Sequence, residues 1–212
     1  MTMKEEKRMA GEYEIIHSLH VGAREVVVGV NADRQYMCSY YTELDVFSNY
    51  TETMVSEDYL EIMTLFVGRV SGQIQAAKAE RSTIHIPLTV LTKEMCLPLY
   101  EGDSIEGKVV AVKPDSLRPE YQRIDRQLIL VTGGNGARGK ARGSGIFGIN
   151  LFTGRSAGRW ERWDILGVVK PEHIPEWAND KLKIIERERE LENKTGTEER
   201  KRGAKKRDEP CL

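Results

Sequence analysis

Three stretches near the start of the chain are rich in β-branched and aromatic residues and are separated by turn residues. They span 13–21, 24–30 and 35–42. Such runs are typical of strands, and the short separations predict an antiparallel meander. An acidic stretch that carries tyrosine follows, and we expect it to form a loop.

After this loop, apolar residues recur at steps of three and four. The pattern predicts an amphipathic helix of about six turns over 56–79, packed across the meander. Ser56 is expected to cap the helix, because Glu57 and Asp58 follow in a first turn where the helix dipole favours negative charge. The expected apolar positions are Leu60, Met63, Val67, Val70 and Ile74. The first unit is therefore predicted to be β-β-β-α.

A second series of strand-like stretches follows the helix. The stretch 84–88 predicts a short edge strand, since Pro87 cannot donate a ladder hydrogen bond. A Gly-Asp turn at Gly102 leads into an alternating stretch that ends at Val112. Three further antiparallel strands are predicted at 127–132, 145–151 and 159–169. Pro175 then marks the start of a helix that runs through Ile185.

These elements predict an α+β fold: an antiparallel β-meander with one long helix, then a β-rich unit, a small barrel or curled sheet, with a C-terminal helix. The predicted bounds are 1–80 for the first unit and 81–190 for the second. The segment 191–212 is expected to be a disordered charged tail, because it has too few apolar residues to offset the entropy of ordering.

Composition narrows the class of protein. The chain has 212 residues, a formal net charge of −1 and three widely separated cysteines. This argues against a disulfide framework or a zinc site, and no apolar run approaches the ~20 residues that span a bilayer. No apolar segment follows the N-terminal charges, so no signal peptide is expected and we predict a cytoplasmic protein without a membrane partner. We also expect no metal and no cofactor.

Charge is distributed unevenly along the chain. Residues 118–162 contain nine basic and three acidic side chains, whereas residues 43–61 contain six acidic and no basic ones. Such asymmetry can steer association with a charged partner.

The basic stretch includes a glycine-rich segment, 133–145, that holds six glycines. Gly134 to Lys140 matches two phosphate-binding patterns, but no helix is expected after it, and Ala141 stands where a magnesium-binding hydroxyl belongs. Two readings stay open. The segment is either a flexible hairpin connection or a contact loop whose Arg138, Lys140 and Arg142 meet a phosphate backbone or an acidic protein surface.

A second basic group mixes arginine with tryptophan. If 159–163 is extended, Trp160 and Arg162 face one side while Arg159 and Trp163 face the other. One indole is expected in the core, and the other is partly exposed and suited to stacking on a base or anchoring a protein. The alternative is cross-strand packing with an Arg159–Glu161 salt bridge.

Four segments of the chain are distinctive: 121–128 (YQRIDRQL), 132–137 (TGGNGA), 142–143 (RG) and 159–168 (RWERWDILGV). In these segments, and more weakly in the hairpin at 25–29, the chain resembles uncharacterised accessory proteins of Firmicute conjugative and integrative elements. The resemblance implies a setting in which proteins handle transferred DNA or disarm host defences, including restriction and CRISPR nucleases. It implies no catalytic residue.

We therefore expect a non-enzymatic accessory or anti-defence protein that binds nucleic acid or a nucleic-acid-handling host nuclease. The expected contact residues are Arg123, Arg126, Arg138, Lys140, Arg142, Arg155, Arg159, Trp160 and Arg162. Two alternatives stay open. One is an enzyme or binding protein whose glycine-rich segment holds a phosphorylated ligand, with Asp125 or Asp164 as acid or base. The other is an interaction module that uses the acidic 43–61 surface. The sequence leaves the oligomeric state undetermined.

Overall fold

The computed structural model describes residues 7–43, 48–140 and 142–188. The chain divides into two compact units, with the first ending at Ile86 and the second beginning at Pro87. The expected boundary lay at residue 80, six residues earlier. The segment 191–212, expected to be disordered, lies outside the described residues.

The first unit is a five-stranded antiparallel meander in sequence order. Its strands are β1 (Met9–Ala10), β2 (Tyr13–Val21), β3 (Arg24–Val30), β4 (Tyr36–Glu43) and β5 (Ser48–Ser56). Helix α1 (Tyr59–Ser82) packs across one face of this sheet. The meander and its long helix are confirmed, but the β-β-β-α order was wrong because β1 and β5 add two strands.

Part of the expected acidic loop is strand β5, and this changes the helix start. Ser56 is the last residue of β5, where it pairs with Tyr36, so it does not cap the helix. Asp58 is the N-cap, and its carboxylate accepts hydrogen bonds from the amides of Leu60 and Glu61 at 2.8 and 3.4 Å. An extended backbone at Asp58 makes this cap possible.

The helix side that faces the sheet also differs from expectation. Ile62 is the buried residue of α1, and it packs against Val26, Val28 and Cys38. Met63 and Val70 are half-buried beside this cluster, as the apolar pattern predicted. Leu60, Val67 and Ile74 are instead exposed, because the sheet-facing side is centred about a third of a turn away, on Ile62.

The second unit is a curled six-stranded antiparallel sheet of order β10-β9-β8-β7-β11-β6. Its strands are β6 (Cys96–Leu97), β7 (Val109–Val112), β8 (Leu128–Gly133), β9 (Gly145–Asn150), β10 (Ser156–Glu161) and β11 (Ile165–Val169). The curl encloses a core of Ile105, Val110, Val112, Ile129, Val131, Ala137, Ile146 and Ile165. The α+β class and the curled sheet are thereby confirmed.

Two of the strand predictions for the chain after the long helix were wrong. Residues 84–88 form no strand. The expected strand 159–169 is two strands, β10 and β11, separated by a 3-10 turn at Arg162–Asp164. A capping box closes that turn, because the carboxylate of Asp164 accepts from the amide of Glu161 at 3.1 Å while the Glu161 carboxylate accepts in return.

Two α-helices complete the described part of this unit. The short helix α2 (Ile124–Gln127) leads into β8. A C-terminal helix, α3, covers 176–188 and confirms the element expected after Pro175. It buries Ala178 and Ile185. No helix in the described part of the chain is long and apolar enough to cross a membrane.

Candidate nucleic-acid interface

The first part of the glycine-rich segment between β8 and β9 forms a packed turn. It contains a 3-10 turn at Asn135–Ala137, in which Gly136 and Ala137 are buried. The carbonyl of Ala137 accepts from the amide of Ile105 at 2.8 Å. A Cβ on Gly136 would overlap the carbonyl oxygen of Ser144. Glycine is therefore needed at position 136 for close backbone approach, and this turn is not the open flexible connection that its composition suggests.

Arg162 holds this segment in place. Its guanidinium donates to the carbonyls of Gly136 at 2.6 Å, Tyr100 at 2.8 Å and Asp103 at 2.9 Å. Three backbone carbonyls thus occupy donors that a ligand would need. These bonds give Arg162 a structural role, and its contact with a partner stays a prediction.

Three backbone amides of this segment are already occupied and so are not available to cradle a phosphate. The amides of Ala137 and Arg138 donate to carbonyls within the turn, and that of Lys140 donates to Glu101 at 3.1 Å. Strand β9 follows the segment, so no helix dipole faces it. Among the described residues, no group of His, Cys, Asp or Glu side chains is arranged to hold a metal ion.

Asp125 and Asp164, the two carboxylates considered for acid–base chemistry, both make structural contacts. Asp125 is 1% exposed and forms a two-point ion pair with Arg123 at 3.0 and 3.1 Å. Arg126 lies 3.6 Å from the same carboxylate and stacks 4.7 Å from the ring of Tyr121. Asp164 accepts a hydrogen bond from Ser116 at 3.1 Å, in addition to its capping bond.

These contacts also decide the roles of Arg123 and Arg126. Arg123 is buried, so it is unsuited to contact with a partner. Arg126 is partly exposed and lines a small cavity of about 220 Å³ together with Trp160. The carboxylate of Asp125 is thus shared by Arg123, which is buried, and Arg126, which is partly exposed.

The arginine and tryptophan residues on and beside β10 also divide into side chains held by contacts within the chain and side chains that are exposed. Trp160 is half-buried against the core, and its indole donates to the carbonyl of Ala157 at 2.9 Å. Arg159 forms the anticipated salt bridge with Glu161 at 2.8 Å. Arg155 is exposed in the turn that precedes β10. The indole expected to be exposed is that of Trp163, at 63%.

The second unit contains a cleft of about 790 Å³ that is open to solvent. Two exposed aromatic rings, those of Tyr100 and Trp163, line it. Lys93, Lys113 and Arg142 line it as well, and all three are exposed. None of these three cations makes a salt bridge to any described residue. The cleft is completed by Pro98, Leu99, Glu101, Gly143, Ser144, Arg162, Ile165 and Leu166.

The order of strands explains how this cleft arises. β7 lies beside β11 in the sheet, so Lys113 at the end of β7 meets the turn that precedes β11. The amide of Lys113 donates to the carbonyl of Asp164 at 2.7 Å, which fixes the lysine beside Trp163. Arg162 holds Tyr100 and the glycine-rich segment against the same turn. The charged and aromatic side chains therefore project from an anchored backbone.

Sequence reasoning identified part of this site. Arg142 lines the cleft and Arg162 supports it, as members of the expected set. Arg138, Lys140 and Arg155 are exposed but are not among its lining residues; Arg138 is 3.6 Å from Glu106. The residues not selected are Lys93, Tyr100, Lys113 and Trp163. Only Trp163 carried a signal, as the second indole in an arginine-rich run.

The acidic stretch 43–61 has mainly structural contacts where it is described. Glu52 pairs with Arg24 at 3.0 Å, Asp58 caps α1, and Glu61 accepts from Ser56 at 2.6 Å. These contacts occupy carboxylates that a partner-binding surface would present. Asp45 lies outside the described residues, as does the side chain of Glu43.

Comparisons with protein-family models, with curated proteins and with solved structures find no match for this chain. No family therefore assigns a role to any of its residues. The chemistry of the cleft has to be inferred from its own side chains.

Proposed function

We propose that this protein binds single-stranded nucleic acid in the cleft of its second unit. The observation that carries the proposal is the pairing of two exposed aromatic rings, Tyr100 and Trp163, with three cations that have no salt-bridge partner among the described residues. Single-strand binders combine these two features, because bases stack on aromatic rings while cations follow the phosphate backbone.

The rings favour a single strand over a duplex. In a duplex, each base is already stacked on its neighbours and its π-face is inaccessible, whereas a single strand can place a base on an indole. The cleft volume, about 790 Å³, is within the range of ~300–1,000 Å³ typical of sites that accept small-molecule-sized groups. Glu101 is the one acidic side chain among the described lining residues, so the local charge favours an anion.

The biological setting is proposed from the sequence resemblance. In an accessory protein of a mobile element, a single-strand site would engage transferred DNA or the nucleic acid held by a host defence nuclease. No step of catalysis is required, and the function is binding alone.

Fluorescence anisotropy with labelled single-stranded and double-stranded oligonucleotides tests the proposal. The full chain is compared with a cleft variant, Lys93→Ala/Lys113→Ala/Arg142→Ala. A charge-matched control, Arg138→Ala/Lys140→Ala/Arg155→Ala, removes three exposed cations that do not line the cleft.

The expected result is single-strand binding that the cleft variant loses and the control retains. Three phosphate contacts predict a slope of log affinity against log salt of about −2, or roughly 20-fold weaker binding between 50 and 200 mM salt. Equal loss in both triple variants would show non-specific charge attraction and refute the cleft. Absence of any binding at low salt would refute nucleic-acid recognition and direct the search to a protein partner.

A further inference from the structure

The second unit has a second cavity, of about 220 Å³, that shares no lining residue with the cleft. It lies against the core of the curled sheet, since Ile129, Ala157 and Trp160 line the cavity and also pack in that core. An apolar cavity of roughly 150 Å³ holds a benzene molecule. The cavity therefore has room for one aromatic ring with a small polar substituent.

The apolar part of the lining suits such a ring. Leu117 and Ile129 contribute aliphatic side chains, and Trp160 contributes its indole. The indole N–H donates to the carbonyl of Ala157 at 2.9 Å, so this polar group is satisfied within the chain. The indole consequently offers the cavity an apolar surface on which an aromatic ring can pack.

The polar part of the lining has hydrogen-bond donors to offer. The hydroxyl of Thr153 accepts from the amide of Arg155 at 3.2 Å, and that of Ser156 accepts from the amide of Gly158 at 3.2 Å. Neither hydroxyl donates to a described residue, so each keeps its hydrogen for a ligand. The side-chain oxygen of Asn150 is also occupied, because it accepts from the amide of Thr153 at 2.9 Å. Such a lining favours a ligand that accepts hydrogen bonds.

Charge beside the cavity favours an anion. Arg126 lines the cavity, and its guanidinium stacks 4.7 Å from the ring of Tyr121. Arg126 and Arg123 share the single carboxylate of Asp125, so this group of two cations and one anion carries one net positive charge. No acidic side chain is among the described residues that line the cavity.

We propose that this cavity binds a small aromatic carboxylate. The ring packs on the indole of Trp160, and the carboxylate accepts from Arg126 and from the hydroxyls of Thr153 and Ser156. A guanidinium is suited to this role, because it makes short, charge-assisted hydrogen bonds to carboxylates. The volume is below the ~300 Å³ at which sites for drug-sized ligands begin, so a whole nucleotide does not fit and the site is distinct from the proposed nucleic-acid cleft.

Nuclear magnetic resonance of the ¹⁵N-labelled full chain, titrated with benzoate, tests the proposal. The three indole N–H resonances are assigned by replacing Trp160, Trp163 and Trp177 one at a time with phenylalanine. Benzoate should shift the resonance of Trp160 in a saturable way and leave that of Trp163, in the cleft, unchanged. No shift of the Trp160 resonance at benzoate concentrations up to about 30 mM would overturn the proposal.

Two further ligands test the chemistry on the wild-type chain. Benzamide keeps the ring and lacks the charge, and we expect it to bind at least about tenfold more weakly than benzoate. Acetate keeps the charge and lacks the ring, and it should also bind at least about tenfold more weakly. Benzamide or acetate binding as tightly as benzoate would overturn the assignment to an aromatic carboxylate.

Variants then place the ligand on the expected side chains. Arg126→Gln should weaken benzoate binding by about tenfold or more, and it leaves the two-point pair of Arg123 with Asp125 in place. Ser156→Ala removes one neutral donor at an exposed position and should weaken binding by about fivefold, which keeps the test decisive if Arg126→Gln does not fold.

Arg155→Gln is the matched control, because it removes the same charge from an exposed arginine that does not line the cavity. Its benzoate affinity should equal that of the wild type. Equal weakening by Arg126→Gln and Arg155→Gln would overturn the proposal, as would unchanged binding in both Arg126→Gln and Ser156→Ala.

Discussion

Replacing Arg162 with methionine removes three hydrogen bonds that fasten the glycine-rich segment and the Tyr100–Asp103 turn to the sheet. Each bond has a charged donor, and such bonds contribute about 1.5–3 kcal/mol when their acceptors are shielded from water. The carbonyl of Gly136 belongs to a buried residue, whereas the bond to Tyr100 is exposed and water can replace it. We therefore expect a loss of about 2–4 kcal/mol in the free energy of unfolding.

Urea unfolding followed by tryptophan fluorescence isolates this effect. All three tryptophans, Trp160, Trp163 and Trp177, belong to the second unit, so the signal reports that unit. With an m-value near 2 kcal/mol/M, the midpoint should fall by about 1–2 M. The variant should also bind nucleic acid more weakly, because the cleft wall loses its anchor.

Arg159→Met is the matched control for this experiment. Arg159 makes one surface salt bridge, and such pairs contribute at most about 1 kcal/mol. Its midpoint should therefore shift much less. Equal shifts for Arg159→Met and Arg162→Met, or a loss below about 0.5 kcal/mol at Arg162, would refute the structural role assigned to this arginine.

Three further predictions concern single side chains. Gly136→Ala should destabilise the second unit by more than about 2 kcal/mol in the same urea assay, because its Cβ overlaps a backbone carbonyl; an undiminished midpoint would contradict the packed turn. Asp125→Asn removes the carboxylate charge that pairs with the buried guanidinium of Arg123 and should cost about 3–5 kcal/mol in the same urea assay, unlike substitution of an exposed carboxylate. Although burial raises the pKa of Glu25, the hydrogen bonds and charge of Arg8 outweigh it and hold that pKa below its ordinary value of 4.5. Because the folded-state pKa is lowered, the ionised carboxylate stabilises the fold above pH 4.5, and this stabilisation is lost as pH falls through the folded-state pKa. Acid unfolding followed by circular dichroism should therefore show a weaker dependence of stability on pH in Glu25→Gln than in the wild type. An unchanged dependence would exclude the Arg8–Glu25 pair as the source of the acid sensitivity.

Most of the strands that were predicted correctly are rich in β-branched and other apolar residues that are buried in the structure. In β3, Val26, Val27 and Val28 are all buried, since both faces of this central strand are covered. Strand β5 was missed because it is an edge strand with exposed polar and charged side chains, of which Glu52 is an example. Its pairing with β4 depends on backbone hydrogen bonds, which leave no apolar pattern.

The long helix α1 shows a second limit of prediction from sequence periodicity. Its apolar residues recur at helical spacing, so its existence was predictable. The spacing fits two adjacent stripes, one through Ile62 that faces the sheet and one through Val67 that is exposed. Periodicity alone cannot tell which stripe packs within the chain.

The cleft could not be assembled from sequence because its residues come from separate segments. Lys113 and Trp163 are fifty positions apart and meet only because β7 lies beside β11. Arg162 looked like a free contact residue beside an indole, yet backbone carbonyls take up its donors. Local composition correctly indicated a basic, aromatic region, but tertiary packing decided which members face outward.

The most direct test of single-strand binding is a titration of the intrinsic tryptophan fluorescence with an unlabelled single-stranded oligonucleotide, for the wild type and for Trp163→Phe. A base stacked on the exposed indole should quench the wild-type emission at low salt, and most of that quenching should disappear in the variant. Trp160 and Trp177 remain in both proteins as internal references. Binding without quenching, or equal quenching in both proteins, would contradict the proposal that bases lie on Trp163 in the cleft.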